Sequence, residues 1–234
     1  MKTLAPGLML AVVLGLAPAV ADAQPVGVSD QPGWSPEGYA LSFGVGAYKP
    51  DPGSDSFDLV YPGDNGPILL AEFDLYLYRI PFIGPIGIGI QGGWSAYSGS
   101  ACRADSPPGS CVASSDSAKF TLFPLNAIVA LRIDALARKT PVPIVFTGKV
   151  GYNTVFFKEA AGAKESRGRS HGFGWGVQIA LELNFVNPRR ANALDEDFGI
   201  NSSFFFFELA GSDANNRAPV GDKFYFTGGV GLTF

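Results

Sequence analysis

The chain has 234 residues, a formal net charge of -4, 16% charged residues, 30 glycines and 19 phenylalanines. A soluble domain carries charge on about 25% of its residues, so this surface is not built for water alone. The acidic balance supplies no basic field for nucleic acid, and two cysteines with the one histidine, His171, are too few ligands for a zinc site.

Lys2, the apolar stretch from Leu8 to Leu16 and the small residues ending in Ala21-Asp22-Ala23 predict a secretory signal peptide over residues 1–23. A Pro-rich stretch without period predicts a flexible N-terminal arm over 24–38. Residues 39–234 form the folded domain, in which apolar side chains recur at every second position, the period of a strand.

In YALSFGVGAYK, Tyr39, Leu41, Phe43 and Val45 oppose Ser42, Gly44 and Gly46. In LLAEFDLYLYR, Leu69, Phe73, Leu75 and Leu77 oppose Glu72, Asp74, Tyr76 and Tyr78. IGIGIQGGWSAY sets Ile86, Ile88, Ile90 and Trp94 against Gly87, Gly89 and Gln91, and FTLFPLNAIVALRID sets Phe123, Leu125, Val129 and Leu131 against Asn126, Ala130 and Arg132. Pro124 lacks an amide donor, and a bulge is expected there. IVFTGKVGYNTVF, GFGWGVQIALEL, NSSFFFFEL and FYFTGGVGLTF complete a set of about eight segments, an even number.

Alternation alone suits a soluble sandwich as well as a membrane barrel. Three features favour the barrel. Short connections (RIPFIGP, ALARKTPVP) alternate with long polar ones at 50–68, 98–118, 158–172 and 211–223, although 184–200 is too long for its place. The polar face is crowded with glycines such as Gly44, Gly46, Gly151, Gly229 and Gly231, which weaken a solvated strand but fit a cramped interior. Aromatic residues near segment ends, Tyr39, Trp94, Tyr97, Phe156, Phe157, Phe173, Trp175 and Phe224, suggest interfacial girdles. The expected fold is therefore an all-β, eight-stranded antiparallel up-and-down transmembrane β-barrel, each strand needing only about 9 to 11 residues to cross.

The closing strand, with Tyr225, Leu232 and a final Phe234, resembles the C-terminal assembly signal of small Gram-negative outer-membrane barrels. That resemblance implies an integral outer-membrane protein recognised by the barrel-assembly machinery. LLAEFDLYLYRI, LRIDALA, PIVFTGKVGY and DEDFGINSSFFFFEL also resemble segments of a myxobacterial outer-membrane barrel family of unassigned activity, which implies fold and address but no chemistry.

Six charged residues fall on the inward face in mid-strand: Glu72, Asp74, Arg132, Lys149, Glu182 and Glu208. An eight-stranded lumen is just wide enough to be filled by side chains, so these are expected to form an ion-pair and hydrogen-bond plug. The alternative is a narrow acid-lined pore. Cys102 and Cys111 bracket RADSPPGS and, in an exported chain, predict a disulfide closing a loop. Ser170-His171 with Glu159 or Glu165 is the nearest approach to a hydrolytic set, as in barrels that deacylate lipid A, but RGRSHG reads as a loop. Lys158, Lys164, Arg167 and Arg169 could meet lipopolysaccharide phosphates at the outer surface. Asp51, Asp55, Asp58 and Asp64 lack the spacing of an EF-hand.

The expected role is non-catalytic: envelope structure, or surface interaction through long extracellular loops. The protein should need no cofactor or metal, be monomeric among outer-membrane lipids, and keep both ends in the periplasm. A transport barrel for small or amphipathic solutes and a lipid-modifying enzyme are the alternatives.

Overall fold

A computed structural model describes residues 37–50, 56–61, 66–103, 105–107, 110–162 and 164–234. The stretch expected to be a signal peptide and most of the expected arm lie outside them. Eight strands follow the chain order: β1 (Tyr39–Tyr48), β2 (Gly66–Ile80), β3 (Gly84–Cys102), β4 (Ala113–Ile133), β5 (Ile144–Ala161), β6 (Lys164–Glu182), β7 (Ser202–Ser212) and β8 (Tyr225–Thr233). Each pairs antiparallel with its neighbour, and β8 pairs with β1 to close the ring. No edge is left through the barrel wall, as a lipid environment demands. At the seam the Tyr39 and Phe234 rings stack 4.7 Å apart, and Phe234 donates its backbone N–H to the Tyr39 carbonyl at 2.9 Å.

The period of two sorts the side chains as a membrane requires. Phe43, Ile88, Ile90, Val129, Val150, Val177, Phe205, Phe207, Phe226 and Val230 are exposed, whereas Glu72, Asp74, Gln91, Asn126, Lys149, Gln178 and Glu208 are buried. No helix among the described residues is long and apolar enough to cross a membrane. The apolar belt around a polar interior makes the protein a transmembrane β-barrel.

The strands are unequal. β1, β7 and β8 have 10, 11 and 9 residues, whereas β3 to β6 have 19, 21, 18 and 19. The middle strands therefore rise beyond the belt as a wall. Two stretches expected to be long loops are largely strand. Only residues 103–112 separate β3 from β4, and β5 turns directly into β6 through Gly162, whose φ of 56° suits a residue without a Cβ. Above the membrane both faces of the wall meet water, so the apolar alternation fades although the ladder continues through Lys158↔Arg167 and Glu159↔Ser166. The Cys102–Cys111 disulfide spans the β3–β4 connection, with Cα atoms 5.0 Å apart.

Three local expectations need correction. No bulge forms at Pro124. Gly92↔Leu125 and Ser95↔Leu122 hold one register, and the ladder is merely interrupted where Gly93 faces Pro124. A Cβ on Gly93 would come within 2.9 Å of Pro124 Cγ, so the glycine makes room for the ring. Register shifts lie instead in β2, between Tyr76 and Tyr78, and near the end of β3, between Ser100 and Cys102; the first redirects side chains in the barrel wall. The β2 shift turns Tyr78 outward to 61% exposure and away from the inward set. Tyr97 and Phe157 are not girdle residues: Tyr97 is buried, and both pack inside against Phe57 or Phe120.

Among the described residues the connections hold three helices: α1 (Ser56–Val60), α2 (Ala135–Lys139) and α3 (Pro188–Phe198). The over-long 184–200 connection is α3, started by the Asn187 side chain accepting from the Arg190 amide and stopped by Gly199 at φ 68°. Hereafter the end carrying α2 and α3 is the turn end, and the opposite end is the loop end.

Candidate functional site

The closed ring of strands encloses a lumen, and the side chains fill it in layers. At the turn end, β2's irregularity aims Arg79 at Asp134, 2.9 Å away. Arg138 of α2 reaches Asp134 at 2.7 Å and Glu37 at 2.6 Å. Burial would disfavour the Arg138 charge, but the nearby Glu37 and Asp134 carboxylates outweigh it and raise its pKa. Next come Arg132 and Glu182, 2.6 Å apart, with the Arg132 guanidinium 5.4 Å from the Phe204 ring centroid. Phe204 in turn packs in one buried apolar cluster with Val145, Ala180 and Phe206.

The middle layer is centred on Lys149. Its Nζ lies 2.6 Å from Glu72 Oε1 and 2.6 Å from Glu208 Oε2. Gln91 donates to Glu72 Oε2 at 2.6 Å, Asn126 donates to Gln91 Oε1 at 2.8 Å, and Gln178 donates to Glu208 Oε2 at 3.4 Å. Asp74, two residues from Glu72 on the same face, keeps Oδ1 without a hydrogen bond among the described residues. Three buried carboxylates thus face one ammonium. Beside this layer is a cavity of about 20 Å³, bordered by Asn126, Lys149, Gly174, Gly176, Glu208 and Tyr225. It has room for about one water molecule.

The loop end is closed by apolar and aromatic side chains. Tyr48, Ile68, Leu70, Tyr97, Phe120, Leu122, Val155 and Tyr225 form one cluster with Tyr61, Phe57 and Val60 of the first connection and Ala214 and Val220 of the last. Phe57 stacks edge-on to Tyr97 at 5.1 Å and to Phe120 at 5.6 Å. The Tyr48 hydroxyl donates to the Val220 carbonyl at 2.7 Å, and the Tyr97 hydroxyl donates to the Tyr48 carbonyl.

Sequence reasoning foresaw six inward charges as one network. They form two, Lys149 with Glu72, Asp74 and Glu208, and Arg132 with Glu182. It did not find the cluster of Glu37, Arg79, Asp134 and Arg138, nor the apolar cap. The one sequence signal was Arg79 itself, a charge at a position whose parity would face lipid, while the cap depends on α1 folding back over the mouth.

The hydrolytic set does not assemble. Ser170 and His171 are neighbours on β6 and face opposite sides: Ser170 Oγ is buried and donates to Asn216 Oδ1 at 2.9 Å, while the His171 ring lies outside, 6.0 Å from Tyr152. Glu159 accepts from the Tyr61 hydroxyl at 3.2 Å, and Glu165 is held by Lys158 and Arg167. Asp51, Asp55 and Asp64 lie outside the described residues, and Asp58 pairs with Lys49 at 2.9 Å. No group of His, Cys, Asp and Glu among the described residues could hold a metal ion.

The fold and the filled lumen define the class: a small membrane-spanning β-barrel. No protein-family model matches the chain, and no curated protein matches it in sequence. Solved structures with similarity include Ail, the attachment invasion locus protein of Yersinia pestis, at 10% identity and TM-score 0.42 over 85% of this chain and 97% of that one. Neisserial surface protein A matches at 11% identity and TM-score 0.43, over 84% and 96% of the two chains. The N-terminal β-barrel domain of Pseudomonas aeruginosa OprF matches at 10% and 0.43, over 85% and 98%.

Proposed function

We propose that this protein is a sealed outer-membrane barrel with a structural or surface-interaction role and no catalytic one, its loop end facing outward and both termini in the periplasm. It works as a monomer among outer-membrane lipids, and the assembly machinery would read Tyr225, Leu232 and Phe234. The carrying observation is the stack in the lumen, in which salt-bridged turn-end residues, the Lys149 layer and the aromatic cap follow one another. A path for solute would need at least the cap and one ionic layer to move together. The acid-lined pore is therefore the weaker reading, since Lys149 bonds to Glu72 and Glu208 in the space such a pore would need.

Proteoliposome swelling tests this reading. Vesicles carrying the refolded protein should take up arabinose no faster than empty vesicles, and uptake rising with protein content would overturn it.

A further inference from the structure

The residue rows on the outer face of β4 to β6 carry an arrangement that sealing does not explain. In register, Phe123 of β4, Phe156 of β5 and Arg169 of β6 form one row, and Thr121, Lys158 and Arg167 form the next towards the loop end. Lys119, Ala160 and Glu165 form the third. All three rows share the outward face of Phe123 and Phe156, which are 44% and 41% exposed. The apolar belt thus ends on two phenylalanines and gives way at once to Lys119, Lys158, Arg167 and Arg169 against one acid, Glu165.

These four bases lie on three adjacent strands of a chain whose net charge is -4. Glu165 sits 2.9 Å from Lys158 and 2.6 Å from Arg167. Hydrogen bonds from Lys158 and then Arg167 hold its carboxyl below the usual range. The acid occupies part of two bases, whereas Lys119 and Arg169 have no ion-pair partner among the described residues. Lys164, grouped with them on sequence, falls on the opposite face because its position is even where 165, 167 and 169 are odd.

We propose that this ledge binds the phosphates of an anionic glycolipid in the outer leaflet, the lipid A portion of lipopolysaccharide. The ledge lies where phosphorylated sugars meet acyl chains, so one ligand can lay its chains on Phe123 and Phe156 and its phosphates on Arg169, Lys158 and Arg167. Guanidinium groups suit phosphate because their paired N–H groups match two oxygens. The strands fix the bases at ladder spacing, which a loop would not. This rests on the outward orientation of the loop end given above.

The test is titration of the full refolded protein, in neutral detergent micelles, with diphosphorylated lipid A and with the same lipid after dephosphorylation. Removing the phosphates should weaken binding about tenfold, and so should the double variant K158Q/R169Q with the intact lipid. The double variant R189Q/R190Q, at the opposite end, should bind as the wild type does. Heat-modifiable migration on a gel reports that each variant is folded. Equal binding of the dephosphorylated lipid, unchanged binding by K158Q/R169Q, or an equal loss in R189Q/R190Q would each overturn the ledge. Micelles have no leaflets and no conductance, so a negative result leaves the sealed-lumen reading to its own test.

Discussion

Replacing Lys149 by methionine should destabilise the barrel by about 3–5 kcal/mol, the cost of leaving a buried charge without its partner. The substitution keeps a long unbranched side chain, so the lumen stays filled. What disappears is the ammonium that Glu72 and Glu208 each approach to 2.6 Å, with Asp74 on the same face. Urea titration in lipid vesicles, read by heat-modifiable mobility, measures the loss. The triple change E72Q/K149M/E208Q should recover much of it, because neutral amides can hydrogen-bond to each other where bare carboxylates repel. An unchanged urea midpoint for K149M would mean that the layer contributes no stability.

Glycine to valine at position 229 should be the second large effect, about 3 kcal/mol and a lower refolding yield. Gly229 of β8 pairs with Gly44 of β1 on one side and Phe206 of β7 on the other. A Cβ there would lie 2.0 Å from the Phe43 carbonyl oxygen and 2.8 Å from Phe206 Cε1. The first contact is with backbone at the closing seam and cannot be relieved by a side-chain rotation. The next inward position repeats the motif, with the Phe204 ring lying over Gly231. Aromatic rings folded over Gly44, Gly229 and Gly231, and backbone pressed close to Gly46, Gly87 and Gly151, explain why a strand face holds so many residues that weaken strands. Gly228, on the outward face, is the control: a Cβ there would meet only the Phe206 carbonyl oxygen, at an ordinary 3.5 Å, so G228V should cost far less.

The sequence was most legible where one face of a strand meets lipid and the other meets the lumen, because only there does a two-residue period carry information. Ile86, Ile88 and Ile90 against Gly87, Gly89 and Gln91 could be sorted by inspection. The period vanished where β3 to β6 leave the membrane, so Lys158 to Gly172 read as a loop although its backbone continues the ladder. Proline chemistry suggested a bulge at Pro124, but Gly93 opposite it relieved the crowding without a change of register.

Which mid-strand charges point inward was also legible, since parity decides it wherever the register is unbroken; Arg79, beyond the shift in β2, escaped it. Which of them meet was not legible. Lys149 on β5 finds Glu72 on β2 and Glu208 on β7, strands that are not its ladder neighbours. That meeting depends on strand tilt and stagger around the closed ring, which no local pattern encodes. The same holds for the basic ledge. Its four residues span 119 to 169 in sequence, and only register brings them into successive rows.

Planar-bilayer recording of the purified wild-type protein tests the sealed lumen most directly. With the ionic layers and aromatic cap in place, the membrane current should stay at the level of the protein-free bilayer across moderate voltages of either sign. Steady, unitary, cation-selective conductance steps that scale with the amount of protein would contradict the account.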